Sequence, residues 1–522
     1  MRGSTGLWHA LETAREINLA EAGEACPVAG RDGETRRGVL KALAAASVIA
    51  ALPRPARAAP IRGPVAIIGG GIAGLSALWQ LAQAGIDAHL YEARPRTGGR
   101  MFTLHDGATA VEIGGQLVNT DHADMHALTK AFDVALIDRK AGDHRTAVLG
   151  GGAEIPEARL VEGLRGIAGQ IGRDADRLDQ DYAGVAPLLD RLSFTGYLDR
   201  HAGLMPDPWV RRLMEATART EYGVEPGEAS AIELIFNMPT VDGTRIDVLS
   251  NSDERFLMAG GSSSLIAAMT ARLQPHISTA KVCTRIDPRG GGVRIGFADG
   301  SHVDAGAVIV TTPAAVTRRI AFGGPLPALW RRFIAEVTLG KVGKINAEMT
   351  ARPWEATFGR GGELWQTDAA RGTALGWDSG IRPSTGAGSV WTWFLGGDEV
   401  ARADAADAHA LALKFARDAE AAAPGMAAAT GARTWRTAWH RERHTGGGYV
   451  NFSPGQLTRF APLIWTQNKD GMLAEQPVSA APIWFAGEHL SDAYPGYMNG
   501  GAQTGRWAAE AVIAASSLKR AA

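Results

Sequence analysis

Three glycines and one glutamate have the types and the spacing that bind a dinucleotide. Gly69, Gly71 and Gly74 form a G-x-G-x-x-G pattern, and Glu92 follows at the distance that places an acid beside a ribose. The first glycine allows a tight turn, the second lets the backbone approach a pyrophosphate, and the third lets a helix pack closely on a strand. The glutamate carboxylate can accept hydrogen bonds from the ribose hydroxyls.

Two strands and a helix must position these residues. The apolar run 65–68 predicts the first strand, the segment after Gly71 predicts a helix to about Ala84, and residues 88–91 predict the second strand. Ala73 lies in the first turn of that helix, where N–H groups and the positive end of the helix dipole face the phosphates. In a chain with 65 glycines the pattern alone is a weak indication, but strand, helix and acid all fall where dinucleotide binding needs them.

A basic, glycine-rich extension after Glu92 narrows the choice of cofactor. Residues 92–100 read E-A-R-P-R-T-G-G-R, in which Arg94, Gly99 and Arg100 could hold a pyrophosphate from its far side. This stretch resembles the E-A-x-x-R-x-G-G-R element of the flavin-containing monoamine oxidase family. The resemblance implies FAD rather than a nicotinamide cofactor; a surface loop with solvated arginines is the alternative interpretation.

Length and composition set the broad class. A chain of 522 residues exceeds what one hydrophobic core normally supports, so we expect two domains. Hydrophobic residues make up 45% and charged residues 21%, which is ordinary for a globular enzyme. Since the formal net charge is -1 and no long basic run occurs, we expect no nucleic-acid partner.

Residues 1–58 have the order of features found in an export signal. Arg36 and Arg37 stand in a stretch that resembles the twin-arginine signal, an apolar run at 42–52 follows, and 56–58 form an A-x-A cleavage pattern. The resemblance implies export of the folded protein to the periplasm by the twin-arginine machinery. The apolar run is too short to span a bilayer, so we expect no stable membrane anchor. A disordered N-terminal tail is the alternative.

The middle of the chain alternates between helical and strand-rich segments. Residues 121–253 look mainly helical, and 340–439 look strand-rich with one alanine-rich helix near 404–423. Between them a second βαβ-like region predicts strands at 281–283, 293–295 and 307–310. This region resembles the second FAD-domain segment of the amine oxidases, where a backbone group near Val282 meets the adenine.

The resemblance implies an α/β fold of two interleaved domains, the flavin amine oxidase fold. A Rossmann-type FAD-binding domain would comprise residues 64–120, 254–338 and 441–516. A mixed α+β substrate-binding domain would comprise 121–253 and 339–440. A homodimer is an oligomeric state that the sequence leaves open.

The C-terminal part carries a second specific motif. Residues 483–489 read I-W-F-A-G-E-H and predict a buried strand that ends in a polar turn, and a helix is predicted from Gln503 to about Ser516. In the amine oxidases this turn and helix N-terminus lie against the flavin. The resemblance assigns cofactor contacts to Gly487, Glu488, Tyr497 and Met498, and to a further set in the E-x-G element: Gly115, Gln116 and Leu117.

Two tyrosines are candidates for one substrate site. Trp439 and Tyr449 match a W-x9-Y pattern of the monoamine oxidases, and Tyr497 stands in a G-Y-M motif. In the family these tyrosines face each other in front of the flavin as an aromatic cage for the amine, which an electron-rich ring face can orient. Gly448 occupies the position of the cysteine that bonds to the flavin in animal enzymes. We therefore expect FAD to be held non-covalently.

A lysine completes the candidate site. Residues 339–349 resemble the family segment whose lysine holds a water against the flavin N5 atom, and Lys344 is the match. Lys341 is expected to be exposed. Strand alternation alone does not place Lys344 inward, because it shares parity with Asn346 and Glu348 rather than with Ile345. Only the resemblance supports this assignment.

These features predict oxidation of the CH–NH bond of an amine to an imine, which hydrolyses to an aldehyde or ketone. The acceptor of the electrons would be FAD, reoxidised by O2 or by a periplasmic acceptor. A simple or aromatic amine is the first choice of substrate.

Other substrates and activities stay open. An α-amino acid is disfavoured because no arginine follows the E-x-G element, although Arg219 could serve, and polyamines would need carboxylates such as Glu363 and Asp368. A flavoprotein desaturase or isomerase would not require the tyrosine pair with Lys344. A non-catalytic binding protein would be expected to lose the C-terminal flavin motif.

Overall fold

The computed structural model describes residues 61, 63–142, 144–236, 252–359, 361–380, 389–467, 474–476 and 478–517. The predicted export signal, residues 1–58 with its twin arginines, lies outside these residues. Within the described part of the chain, no helix has both the length and the apolar character needed to cross a membrane.

A parallel sheet of five strands forms the centre of one half of the molecule. In spatial order its strands are Ile277–Ser278, Ala88–Tyr91, Val65–Ile68, Ala307–Val310 and Ile483–Phe485. The strands Val65–Ile68 and Ala307–Val310 are apolar at every position and buried at every position, as expected for a parallel sheet covered on both faces. Their carboxyl ends meet at one edge, where the glycine-rich turn begins.

Two helices pack together against this sheet. The first is Ile72–Gln83, and the second is Met498–Ser517, which starts five residues before the predicted Gln503. Glycines 500 and 501, which precede the predicted start, lie inside the helix. A Cβ on Gly501 would come within 2.9 Å of Ile72 Cγ2, so close packing of the two helices requires glycine there and overrides its low helix propensity.

A mixed sheet of seven strands forms the centre of the other half. Its strands, in spatial order, are Thr430–Arg436, Val342–Met349, Ser389–Gly396, Leu375–Asp378, Glu363–Gln366, Thr146–Gly150 and Ala153–Glu154. The last two lie in the segment predicted to be mainly helical. That prediction was wrong at these positions, because a short apolar run such as 146–150 has no readable period and is decided by its pairing with 363–366.

The rest of the segment 121–253, where described, is mostly helical. Its α-helices are Ala123–Ala131, Glu157–Gln180, Tyr182–Leu189, Phe194–Arg200, Pro208–Tyr222 and Ala231–Phe236. The alanine-rich helix is shorter than predicted and runs over Ala408–Ala419, because the Asp407 carboxylate caps it by accepting from the Ala410 N–H. A separate helix, Asp398–Asp404, precedes it.

A smaller sheet lies beside the five-stranded one, with strands His302–Ala305, Gly292–Phe297, Cys283–Arg289 and Ala321–Phe322. The third strand begins at Cys283 and not at the predicted Lys281. Ala280 turns the chain at φ +55°, and the Lys281 N–H then donates to the Glu92 carbonyl, so this segment does not join the ladder.

Shorter elements connect these layers. The remaining strands include Thr103–Asp106, Thr109–Glu112, Leu117–Val118, Leu136–Asp138, Phe256–Met258, Thr338–Leu339 and Val450–Asn451, and the helices include Ser262–Leu273, Ala314–Thr317, Ala328–Glu336, Glu355–Phe358 and Gln456–Phe460. The strands of the two large sheets alternate in blocks along the chain. The expected α/β class with two interleaved parts is confirmed, while the domain boundaries stay a prediction.

Candidate active site

The glycine-rich turn has the geometry that its pattern predicts. Gly69 has φ +110°, which favours glycine, and a Cβ on Gly74 would lie 1.9 Å from the Gly69 carbonyl oxygen. Gly71 differs, because its φ is -75° and an added Cβ would meet no atom of the described residues within 4 Å. The described part of the fold therefore does not require glycine at this position, whereas a ligand that approached the backbone here would require it. This geometry fits a pyrophosphate at the N-terminus of the helix Ile72–Gln83.

Glu92 lies at the carboxyl end of the second strand and is buried. Its Oε2 accepts from the Gly70 N–H at 2.6 Å, and its Oε1 accepts from the Arg94 N–H at 2.8 Å. A carboxylate has about four lone-pair positions, so these two bonds orient Glu92 and leave acceptors for ribose hydroxyls.

The two predicted arginines reach the segment before Tyr449. Arg94 donates to Thr445 Oγ1 at 2.5 Å and forms an ion pair with Glu442 at 3.3 Å. Arg100 donates to the Gly448 carbonyl and to Glu488. Both guanidinium groups thus hold the loop against the dinucleotide-binding half.

Gly99 brings two backbone segments together near the first turn. It has φ +57°, and a Cβ there would lie 3.3 Å from the Gly71 Cα. The predicted pyrophosphate-binding residues Gly71, Gly99 and Ala73 are therefore neighbours. Val282 lies close to the end of the second strand, since the preceding Lys281 donates to Glu92, and its carbonyl accepts from Ala298 at 2.9 Å.

The C-terminal motif is organised around the Glu488 carboxylate, which is 4% exposed. It accepts from Arg100, from the Gly496 N–H at 2.8 Å and from the Val450 N–H at 3.4 Å. The preceding Gly487 has φ +142° and a Cβ there would lie 2.4 Å from His489 Cε1. One carboxylate therefore fixes the two loops that carry the candidate tyrosines.

The E-x-G element lies between the two halves. A Cβ on Gly115 would be 3.1 Å from Met498 Cγ, so the element packs against the N-terminus of the last helix. The Gln116 side chain is bound by Ser379 and by the Trp377 indole, both in the seven-stranded half. Leu117 pairs with Leu257 of the strand Phe256–Met258 and is partly buried.

Lys344 is buried, with 7% of its surface exposed, whereas Lys341 is exposed. Its Nζ donates to the Gly114 carbonyl at 2.7 Å and to the Glu112 carbonyl at 3.3 Å. The ammonium also lies 5.5 Å from the centre of the Trp377 ring. Nearly every residue of the strand Val342–Met349 is buried, which explains why alternation could not place this lysine.

Burial lowers the pKa of Lys344 to about 8, against the opposing charges of Glu112 and Glu254. Burial also raises the pKa of Glu112, although Lys344 and hydrogen bonds from Thr103 and Ser262 oppose the shift. A lysine with a pKa near neutrality can change its charge in the working range of an enzyme.

Trp439 holds the same turn as the lysine from another side. Its indole N–H donates to the Ile113 carbonyl at 2.7 Å, between the two carbonyls that accept from Lys344. The tyrosine loop is joined to this region as well, because the Gly340 N–H donates to the Tyr449 carbonyl at 2.8 Å. Trp439, Lys344 and the Tyr449 loop are therefore parts of one hydrogen-bonded framework.

Tyr449 and Tyr497 are both partly buried and lie close together. A Cβ on Gly496, next to Tyr497, would be 3.5 Å from the Tyr449 Cβ. The Tyr449 hydroxyl donates to the Thr220 carbonyl, and the Tyr497 ring packs edge-on against the His122 ring at 5.3 Å. Burial raises the pKa of both phenols well above the usual value, so both stay neutral.

Two residues at this site escaped the sequence analysis. Burial lowers the pKa of His122 to about 3, and its ring lies edge-on to both Tyr494 and Tyr497. Glu254 has φ +42°, and its charge acts on both tyrosines and on Lys344. Neither residue belongs to a sequence motif. The sequence does not reveal that the backbone of Glu254 adopts a left-handed conformation.

The charged residues considered for other substrates are bound by the protein itself. Arg219 donates to Glu225 through Nη2 at 2.7 Å and through Nε at 3.1 and 3.2 Å. Glu363 forms a buried ion pair with Arg139 at 2.9 Å. Asp368 accepts from the Ala370 N–H at the start of a short helix. These contacts argue against the roles suggested for the three residues.

Comparison with known proteins is consistent with this geometry. Residues 72–513 match the family described as flavin containing amine oxidoreductase. The putative flavin-containing monoamine oxidase AofH of Mycobacterium tuberculosis is 25% identical over 472 residues, which cover 86% of this chain and 96% of that protein. An L-amino acid dehydrogenase of Synechocystis is 24% identical over 479 residues and covers 86% and 94%.

A solved structure shows the same fold. Cyclohexylamine oxidase from Brevibacterium oxydans matches with a TM-score of 0.73 at 22% identity, over 87% of this chain and 99% of that one.

Proposed function

The chain belongs to the flavin-containing amine oxidoreductase family, and from this premise we propose that it oxidises a simple or aromatic amine in the periplasm. The protein is an FAD-dependent amine oxidase with O2 as acceptor. When bound, FAD accepts the hydride equivalent from the carbon that carries the amine, and the imine product hydrolyses to an aldehyde or ketone. The family does not determine the class of amine, so the proposal for the substrate rests on the geometry of the site.

The substrate proposal rests on one observation. Two neutral tyrosines line the site, while the arginine that could bind a substrate carboxylate forms an ion pair within the protein. Arg219, the arginine that could serve as carboxylate receptor for an amino-acid substrate, is bound by Glu225 through three hydrogen bonds. Tyr449 and Tyr497 present ring faces that can orient an amine nitrogen. An amine without a carboxylate fits this pair best.

The chain's own residues would bind and position the amine. The cage of Tyr449 and Tyr497 excludes water, and this desolvation favours the uncharged amine that hydride loss requires. Lys344 holds the turn at Glu112 and Gly114 with two of its three N–H groups. The family resemblance assigns the third N–H a water beside the flavin.

FAD is proposed to be held without a covalent bond. The dinucleotide half would be bound by the turn at Gly71, by Glu92 and by the helix N-terminus. Gly448 offers no thiol to the flavin, and a Cβ at this position would lie 2.1 Å from Val342 Cγ2.

The experiment that tests the substrate proposal is anaerobic mixing of the purified yellow protein with a panel of amines. The panel contains benzylamine, cyclohexylamine, putrescine and an L-amino acid, and the flavin absorbance is followed by stopped flow. We expect benzylamine or cyclohexylamine to bleach the flavin fastest. Bleaching by the amino acid alone would contradict the proposal and would indicate that the site contains a receptor for the substrate carboxylate.

Export by the twin-arginine pathway is the second part of the proposal. Its support is the order of Arg36-Arg37, the short apolar run and the A-x-A pattern at 56–58. Replacing both arginines by lysine should leave precursor in the cytoplasm, measured by fractionation. An unchanged periplasmic yield of the mature protein would exclude this route. Light scattering of the exported protein would decide between a monomer and a homodimer.

A further inference from the structure

We propose that Glu254 is a catalytic residue of this amine oxidase, which takes a proton from the substrate's ammonium group before the CH–NH bond is oxidised. The inference deepens the proposed function and rests on it. It assigns to this chain a base that the sequence motifs do not contain.

The backbone of Glu254 is fixed from two sides. Asn119 Oδ1 accepts from the Glu254 N–H at 3.1 Å and from the Ser252 hydroxyl at 2.8 Å. The Glu254 carbonyl accepts from Arg139 Nη1 at 3.2 Å. Ser252 in turn interacts with the Tyr497 hydroxyl, so the segment that presents Glu254 touches the amine-binding pair.

Glu254 also has a strained backbone. Its φ of +42° lies in the left-handed region, which a residue with a Cβ rarely adopts. Such a conformation persists when the surrounding contacts over-determine it, and it occurs preferentially at functional sites. The bonds from Asn119 and Arg139 supply that constraint here.

The carboxylate of Glu254 stands out among the acids around the site. Glu112 accepts from Thr103 and Ser262, Glu363 pairs with Arg139, and Glu488 pairs with Arg100. Within the described parts of the chain, the Glu254 carboxylate has neither a hydrogen bond nor an ion pair, although the residue is partly buried. A partly buried and unmatched carboxylate is suited to receive a cation from outside the protein.

The charges that face Glu254 come from several segments. The groups are the acids Glu221 and Glu363, the cations Arg139, Lys140 and Lys344, and the phenols Tyr449 and Tyr497. Burial raises the pKa of Glu254 well above its usual value, and Glu363 and Glu221 add to the shift against Arg139 and Lys140. Its raised pKa makes the ionised carboxylate a stronger base than an exposed one.

The proposed step conserves protons and electrons. An alkylamine, like a lysine side chain, is mostly an ammonium ion at neutral pH and has no free lone pair. One N–H bond of the ammonium breaks, an O–H bond forms on the Glu254 carboxylate, and the electron pair stays on nitrogen. The product is a neutral amine beside a neutral acid, which avoids a buried pair of charges.

The first test is the pH dependence of flavin reduction in Glu254→Gln, with the best amine of the panel. For the wild type we expect kcat/KM to rise with pH as the carboxylate of Glu254 ionises. In Glu254→Gln the rise caused by this carboxylate should vanish, so that kcat/KM increases only where the amine itself loses its proton to water. The rate at neutral pH should fall by about 100-fold or more, the usual contribution of a positioned base. Glu254→Asp, which keeps the charge, should restore part of the rate.

Glu399→Gln is the matched control. Glu399 is a buried carboxylate whose pKa burial raises to about 7, and its Oε2 accepts from the Gly396 N–H. None of the charges that act on it comes from the two tyrosines or Lys344. The wild-type pH profile should persist in this variant.

The second test measures binding without turnover. Benzyltrimethylammonium carries a permanent charge and no proton, and calorimetry in two buffers of different ionisation enthalpy reports the protons exchanged when it binds. A cation beside Glu254 favours its ionised form, so wild-type holoenzyme should release a proton and Glu254→Gln should release none.

The outcomes separate this inference from the proposed function. A wild-type pH profile and rate in Glu254→Gln, or the same proton release in wild type and Glu254→Gln, would overturn it while amine oxidation stands. Failure of every amine to bleach the wild-type flavin would refute the proposed substrate. The calorimetric comparison would still decide whether Glu254 receives a cation.

Discussion

The Glu488 carboxylate and the Arg100 guanidinium form an ion pair with 2.7 Å between Oε1 and Nη1, across 388 residues of sequence. The same Nη1 donates to the Gly448 carbonyl, and Glu488 Oε2 accepts from the Gly496 N–H. Gly448 precedes Tyr449, and Gly496 precedes Tyr497. One ion pair, between the partly exposed Arg100 and the buried Glu488, therefore connects the G-G-R element of the dinucleotide half with both loops of the amine cage.

Arg100→Ala should destabilise the protein and weaken FAD retention together. Glu488 is 4% exposed, and loss of its partner leaves a buried charge, which costs about 3 kcal/mol in the free energy of unfolding. The control is Arg294→Ala, whose pair with Asp304 is exposed to solvent and should contribute little to stability. Chemical denaturation of both variants provides the comparison. Equal losses would show that Glu488 does not depend on Arg100.

FAD should leave the protein on acid precipitation. Position 448 has no thiol, and the neighbouring Val342 leaves no room for a side chain there. The yellow colour should appear in the supernatant, where its absorbance is measured. Flavin that stays with the pellet would refute non-covalent binding.

Two glycine substitutions should separate cofactor binding from folding. Gly71→Val should change the free energy of unfolding of the apoprotein by less than about 1 kcal/mol, because a Cβ at position 71 meets no atom of the residues that the structure describes, yet it should abolish FAD retention. Gly74→Ala should cost about 3 kcal/mol, because its Cβ would lie 1.9 Å from the Gly69 carbonyl oxygen. The flavin content per chain and the unfolding of both apoproteins check these outcomes. Full flavin in Gly71→Val would make the assignment of the turn wrong.

Elements that are determined by local interactions could be predicted from the sequence, and elements that are determined by distant contacts could not. The strands Val65–Ile68 and Ala88–Tyr91 have the bounds that the sequence predicts, because an apolar run and its flanking turns define each. The helix Met498–Ser517 starts earlier than predicted, because contact with the helix Ile72–Gln83 determines where glycine is accepted. That contact is not visible in the local sequence.

The candidate site likewise contains residues that local motifs predict and residues that only distant contacts position. Motifs singled out Tyr449, Tyr497 and Lys344, but burial of Lys344 depends on a strand covered on both faces, for which alternation carries no information. Glu254 carries no motif; its conformation depends on Asn119 and Arg139, which are distant in the chain. Residues positioned by long-range contacts need the structure.

Lys344→Met should leave FAD bound and slow the oxidative half-reaction, and the wild-type rate should depend on pH. With a pKa of about 8, Lys344 is an ammonium below that pH and a neutral amine above it. If the positive charge assists reoxidation, the wild-type rate falls as the pH rises through about 8, and the variant is slow at every pH. Stopped-flow mixing of reduced enzyme with O2 measures this rate.

Lys341→Met is the control for this lysine, since Lys341 lies three residues before Lys344 in the same segment and is exposed. Its half-reactions should match the wild type. Unaltered half-reactions in Lys344→Met would remove Lys344 from the site.

Tyr449 and Tyr497 should act as one cage on the same amine nitrogen. Tyr→Phe at either position keeps the ring face and should have modest effects, although Tyr449→Phe also loses the bond to the Thr220 carbonyl. Tyr→Ala should raise KM and slow flavin reduction by about tenfold, because the amine loses both orientation and desolvation. The double alanine variant should be less than additive, because each single change already disturbs the shared nitrogen. Anaerobic stopped flow measures the flavin reduction rates of the wild type, both single variants and the double variant. Strictly additive effects, or wild-type rates in both single alanine variants, would show that the two rings do not form one cage.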